Sequence, residues 1–145
     1  LTYKITEPLY GINDMHMMIR FALGEEMFDA EQIQKVNLIH AKKCAAQLTI
    51  PLRAGTVGRI EGLDAVKKRK QVVDFLQYYH VGDVIQTKSL GTQSQHFGRV
   101  SIVGKDREDV FETVAYIQNE LQVFDIVGNQ MNTMPFDLNR VTANV

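Results

Sequence analysis

This sequence predicts an α+β domain: a mostly antiparallel sheet with helices packed on one face, preceded by a helical N-terminal segment. Three observations carry that expectation. Short apolar runs of strand length recur from Cys44 onward, separated by short connections. A single long amphipathic stretch, Asp106 to Leu121, has the 3.6-residue period of a helix. Ahead of the first run, Asn13 to Gly24 reads as a helix with a cap residue at one end and glycine at the other.

Taken in order, Thr2 to Ile5 alternates like a short strand. Pro8 and Gly11 make Glu7 to Gly11 a connection. Asn13 or Asp14 caps the first helix, with Met15, Met18, Ile19, Ala22 and Leu23 as its apolar stripe. Phe28 to His40 is a short helix or an irregular connection, with Asp29 as a cap candidate. Ala41 to Leu52 is the first strong strand, Pro51 suggests a sheet edge, and Val57 to Ile60 is its hairpin partner across a turn at Gly55.

Leu63 to Arg69 is a short helix ending in Lys67-Lys68-Arg69-Lys70, where the macrodipole favours positive charge. That run is expected to be a solvated helix end rather than a phosphate site. Val72 to Tyr79 is a strand, Val84-Ile85 restarts an extended segment, and Gln86 to His96 is an exposed, mobile polar loop. Gly98 to Val103 is the next strand, with Val100 and Ile102 on one side and Ser101 on the other. In the long helix Asp106 is the cap and Asp109 its box-like partner. Its stripe is Val110, Val114, Ile117 and Leu121, widened by Phe111 and Ala115. Gln122 to Val127 closes the sheet, and Gly128 to Val145 is an Asn-rich tail, with Met131, Met134 and Phe136 placed to dock on the body.

Composition narrows the function. The 145 residues suit one core-forming domain, and 45% hydrophobic with 23% charged residues are ordinary globular values. Sixteen basic against 17 acidic residues leave a net charge of -1, which argues against a nucleic-acid backbone as partner. No apolar run approaches the roughly 18 residues of a spanning helix, no signal peptide is visible, and a cytoplasmic location is expected. The one cysteine, Cys44, excludes an internal disulfide and any cysteine-rich zinc site; its apolar setting reads as a buried thiol. Opening on Leu1 in a strand-like sequence points to a piece of a longer chain.

No self-contained active site emerges. A phosphate-cradling loop, a nucleophile elbow and a His or Cys ligand pair are all missing from the sequence, and no metal site is expected. Glu7, Glu61, Asp64 and Asp83 read as surface carboxylates, and His16, His80 and His96 as lone histidines.

The central stretch is Leu52-Arg53-Ala54-Gly55-Thr56-Val57-Gly58-Arg59-Ile60-Glu61-Gly62-Leu63. Gly62-Leu63-Asp64-Ala65-Val66, Val72-Val73-Asp74 and Val81-Gly82-Asp83-Val84-Ile85 follow it. Then come Gly98-Arg99-Val100-Ser101-Ile102-Val103-Gly104 and Asp106-Arg107-Glu108-Asp109-Val110. In that order these pieces resemble the C-terminal part of ATP-grasp enzymes of the L-amino-acid ligase, biotin carboxylase and carbamoyl-phosphate synthase type, from about Ala46 to Val127.

The resemblance implies that residues 1–40 end the catalytic core, 41–128 form the C-terminal α+β domain and 129–145 a tail. It also implies a parent ligase that activates a carboxylate as an acyl phosphate with ATP and Mg2+, which an amine or ammonia then attacks, or a related carboxylation. The partner would be the ATP-grasp lobes that precede this region, and no cofactor is expected for this chain alone. In the family a core strand with Glu-x-Asn-x-Arg holds the metal, and Phe21-Ala22-Leu23-Gly24 looks like the end of the helix after it. Counting back from Gly11 places Lys4, Thr6 and Pro8 at those three positions. Either the register differs, with Glu7 as the surviving carboxylate, or that ligand set is lost, so catalytic and cofactor-binding residues stay unassigned.

A second class is open: an ACT-like or ferredoxin-like regulatory module, which binds small molecules and dimerises through sheet edges. A plain plait needs neither the N-terminal helix nor the loop Gln86 to His96. A third reading is an interaction domain whose exposed apolar patch makes a homodimer.

Overall fold

The computed structural model describes residues 3–28, 41–133 and 135–137. All of the Phe28 to His40 connection after Phe28, and most of the tail after Thr133, lie outside the described residues.

The chain opens with two helices, α1 (Tyr3–Tyr10) and α2 (Asp14–Ala22). The first corrects the expectation of a strand at Thr2 to Ile5. Three alternating residues are too few to define a period, and α1 forms despite Pro8 because it packs against strands of the main sheet. Helix α2 matches its sequence signals. Asn13 is the N-cap and accepts a bond of 3.0 Å from the His16 N–H, and Gly24 at φ +75° follows the last turn. Its stripe is not a core stripe, however: Met15, Met18, Ile19 and Leu23 are all exposed.

Six strands follow: β1 (Cys44–Pro51), β2 (Gly55–Glu61), β3 (Val72–Gln77), β4 (Val84–Ile85), β5 (His96–Gly104) and β6 (Gln122–Asp125). Helix α3 (Leu63–Lys68) lies between β2 and β3, and α4 (Arg107–Glu120) between β5 and β6. The architecture is α+β as expected, and every pairing of named strands is antiparallel. The strands divide into two three-stranded sheets, in the orders β1-β5-β3 and β4-β2-β6.

The expected hairpin between β1 and β2 does not form. Strand β1 pairs with β5, from Cys44 opposite Gly104 to Pro51 opposite His96, while β2 pairs with β4 and β6. The turn at Gly55 therefore moves the chain from one sheet to the other. This also separates the fold from a ferredoxin-like plait, whose strands share one sheet.

Helix α4 carries the fold. Asp106 caps it by accepting a bond of 2.9 Å from the Asp109 N–H. The reciprocal half of the box is displaced by one residue: the Asp109 carboxylate accepts from the Lys105 N–H at 2.9 Å and from the Gln71 side-chain amide at 2.8 Å. Val110, Val114, Ile117 and Leu121 are buried, as their spacing requires, against Leu48, Ile50, Val100 and Ile102 of β1 and β5. Each fully buried aliphatic side chain contributes about 1.5–3 kcal/mol.

The second sheet joins the same core through Val57, Ile85 and Val123, and Met131 of the tail docks there as its apolar character suggested. The closing strand is shorter than expected. It ends at Asp125, and Ile126 and Val127 are exposed in the turn that follows.

Two glycines allow the β2 segment to lie close against β6 and the end of α4. An ideal Cβ on Gly58 would stand 2.5 Å from the Asp125 carbonyl oxygen, at the register shift between Val57 and Arg59. Gly62, at φ +73°, presses on the Glu120 carbonyl, which a Cβ would overlap. Gly62→Ala is expected to destabilise the protein by at least the roughly 1–2 kcal/mol that a left-handed backbone costs a non-glycine residue, with the overlap adding to it. The melting temperature should fall by at least about 2–4 °C. Gly82→Ala, also at positive φ but facing open space, should lose only the backbone share.

Candidate functional site

Strand β5 is the middle of its sheet, and its alternation sorts residues onto two faces. Val100 and Ile102 point to the core with Leu48 and Phe75. Arg99, Ser101 and Val103 point the other way, beside Gln47 and Thr49 of β1 and Asp74 and Leu76 of β3. This outer face is not simply solvated: Ser101 is 2% exposed and Val103 9%. Helix α1, which packs against β1, β3 and β5, covers that end.

Beyond the covered end lies a cleft of about 640 Å³, lined by Gln47, Thr49, Tyr78, Tyr79, Gln93, Ser94, His96 and Arg99. The register shift between Thr49 and Pro51 brings His96 and Arg99, three residues apart, to the same cleft. Arg99 stands opposite Thr49 on one side and Leu76 on the other.

The far wall is the segment expected to be a mobile loop. It forms two 3₁₀ turns, Thr87–Ser89 and Gln93–Gln95, held by the buried Gln95. The Gln95 amide donates to the Leu52 carbonyl at 3.0 Å and its oxygen accepts from the Gly91 N–H at 2.7 Å. Tyr79 Oη donates to the Ser94 carbonyl and ties the wall to the end of β3. A glutamine in a polar run reads as surface; only its partners 43 and 4 residues away make it a strut.

Other clefts are built differently. One of about 350 Å³ lies between β1, the end of α4 and the tail. Its amides are engaged in holding the chain: Asn132 accepts from the Val123 N–H at 2.7 Å and donates to the Leu121 carbonyl at 3.1 Å, and Gln122 donates to two α4 carbonyls. Another, about 490 Å³, contains Glu7, His16 and Arg20 between α1 and α2.

The sequence candidates do not converge. Glu7 accepts from the Asn13 side chain at 3.0 Å, and His16 lies on exposed α2. Glu61 pairs with Arg59 at 3.1 Å. Asp64 is exposed in the first turn of α3. Asp83 closes a turn on His80, accepting from its N–H at 2.7 Å with the ring 3.7 Å away. Cys44 packs against the core but is only partly buried, short of the buried thiol its apolar setting suggested. Of these residues only His96 reaches the outer-face cleft.

Lys67 and Arg69 of the basic run lie over the rings of Phe75 and Tyr116, at 5.5 and 4.2 Å. Lys4, Thr6 and Pro8 lie on α1, so they do not occupy a metal-holding strand, and Thr6 donates to Asp14 at 3.1 Å.

Sequence reasoning missed Arg99, Gln47, Thr49 and the tyrosines as a group. The alternation Arg99-Val100-Ser101-Ile102 was visible; which strands would flank it was not. Among the described residues no three His, Cys, Asp or Glu side chains gather, and the segment expected to hold the metal is a helix.

Two carboxylates have lowered pKa values. The backbone bond from Lys105 lowers that of Asp109, partial burial opposes it, and Gln71 adds to the lowering. At Asp125 desolvation pushes upward but is outweighed by bonds from Asn129, Val127 and Gly128.

No protein-family model matches the sequence. No curated protein matches it either. Among the solved structures that share its fold are two ATP-grasp enzymes. One is an L-amino acid ligase from Bacillus licheniformis, with a TM-score of 0.67 and 22% identity over 86% of this chain. The other is a phosphoribosylglycinamide synthetase from Anaerococcus prevotii, with a TM-score of 0.68 and 15% identity over 85%. The chain spans 29% and 30% of their lengths. At these identities the likeness is one of fold.

Replacing Gln95 by Met should leave the Leu52 carbonyl and Gly91 N–H without partners, at a cost of about 1–3 kcal/mol. Limited proteolysis between residues 86 and 96 should accelerate. The lowered carboxylate pKa values have a definite sign. Their stabilisation is present above the unfolded value near 4 and is lost as pH falls through the lower folded values. Urea midpoints measured from pH 5 down to 2.5 should therefore drop, and Asp125→Asn should flatten that drop.

Proposed function

We propose that this chain is the C-terminal part of an ATP-grasp ligase. Residues 1–40 would close the catalytic core, 41–128 form the C-terminal α+β domain and 129–145 a tail. The observation that carries this reading is the shared fold over 85–86% of the chain with two ATP-grasp enzymes, each more than three times its aligned share.

The parent would join a carboxylate to an amine or ammonia, or carry out a related carboxylation, through an acyl phosphate, with ATP and Mg2+ held by lobes preceding this region. The part seen here packs against that core, helps to shape the substrate side and has no turnover alone. A cytoplasmic enzyme fits this chemistry; among the described residues no helix is long and apolar enough to cross a membrane. The exposed apolar residues of α2 supply a face for the preceding lobes or for a second copy.

The test compares this chain with the longer protein encoded through it. Phosphate release from ATP should appear only with the longer protein, and only with a carboxylate and an amine acceptor present. Magnesium–ATP should leave the melting temperature of this chain unchanged, whereas a ligand at a hundred times its dissociation constant adds about 2.7 kcal/mol. A thermal shift or turnover by this chain with magnesium–ATP would overturn the reading.

A further inference from the structure

We propose that the cleft on the outer face of the β1-β5-β3 sheet is a binding site for the carboxylate of a small molecule, with Arg99 as its anchor. This inference rests on the cleft itself and not on the ligase reading.

The cationic groups elsewhere show what makes Arg99 different. Arg59 lies 4.4 Å from the Phe124 ring and pairs with Glu61 at 3.1 Å. Arg69 lies over Tyr116 and bonds Thr113, Arg107 lies over Phe111, and Arg20 pairs with Glu25 at 3.5 Å. Arg99 is half-buried, and among the described residues its guanidinium has no ring, carboxylate or hydrogen-bond partner. Arg53 also lacks a side-chain partner but is exposed, where water serves it. Partial burial of a cation without a counter-charge is unfavourable, and an anionic ligand relieves it.

The lining supports a carboxylate. A guanidinium offers a planar fork of N–H donors that matches the two oxygens of a carboxylate. None of the eight lining residues is acidic. The Asp74 carboxylate on the same face stands opposite Ser101, not Arg99, and forms no ion pair with it. The side chains of Gln47, Thr49 and Tyr78 also lack partners among the described residues, so they are free to bond the rest of a ligand. Tyr78 and Tyr79 add aromatic surface at the rim, and the volume of about 640 Å³ is in the range of small-molecule sites. The Gln95 strut holds one wall in place without a ligand, so little ordering cost falls on binding.

The experiment is an NMR and calorimetric titration of the full chain, without nucleotide, with hippurate, with its neutral amide and with inorganic phosphate. Hippurate carries a carboxylate, a peptide amide and a ring. It should bind saturably and shift the resonances of Arg99, Tyr78 and Tyr79. The neutral amide should bind at least about tenfold more weakly, since bonds to a charged group are the stronger ones. Arg99→Gln should weaken hippurate by a similar factor, and Arg53→Gln should leave it unchanged. If Arg99→Gln does not fold, Thr49→Val should weaken hippurate binding several-fold, and the wild-type resonance map stands by itself.

Failure of hippurate to saturate, equal binding of the neutral amide, or shifts that map elsewhere would overturn the proposal. Phosphate binding as tightly as hippurate on the same residues would overturn the carboxylate assignment. Since no ATP enters the titration, its failure and the failure of the ligase reading are separable.

Discussion

The close approach of the β2 segment to β6 and the end of α4 is the constraint on which the rest of the structure depends. Gly58 lets the backbone of Asp125 approach to a distance that any side chain would forbid, and Gly62 does the same for Glu120. With those two contacts made, β2 pairs with β6, and Val57 and Val123 are brought to full burial beside Leu52 and Met131. The two sheets then share one core instead of standing as separate layers. Val57, Ile85 and Val123 of one sheet and Leu48, Ile50, Val100 and Ile102 of the other close with α4 into a single buried cluster.

Much of the polar inventory is used to secure this arrangement. Asn132 pins the tail to β6 and the end of α4, Gln95 fixes the loop before β5, and Asp109 joins α4 to Gln71 ahead of β3. Cationic side chains cover aromatic rings along the edges. Against that background the outer face of β1-β5-β3 stands out because Gln47, Thr49, Tyr78 and Arg99 are grouped there without side-chain partners among the described residues. A face left open between a covering helix and a braced loop is the geometry that accepts a small molecule.

Local signals predicted what local physics controls. Helix α4 was legible to within a residue, since its cap, first-turn acids and apolar stripe agree with one another. The caps of α2, the strand character of β1 and β5, and the importance of the Gly55 to Gly62 stretch were legible for the same reason. The segment Tyr3–Tyr10 was not, because its helical state is fixed by packing on the sheet against a proline's local preference. The loop before β5 looked mobile because Gln95 acts only through partners distant in sequence. None of the candidate site beyond His96 was legible, since a cleft made by three strands and a turn has no sequence period.

The sequence by itself determined the α+β class, the main helix and its core stripe, for these follow from periodicity and capping chemistry within a few residues, whereas the close approaches at Gly58 and Gly62 are made to residues distant in the chain. Strand partners were decided only by the tertiary structure. β1 and β2 are neighbours in the chain and look like a hairpin, yet each gains more by pairing elsewhere. Long β5 can be covered on both faces only as a central strand between β1 and β3. Those choices depend on apolar surface buried across the whole molecule, and they also gather Thr49, His96 and Arg99 around one cleft.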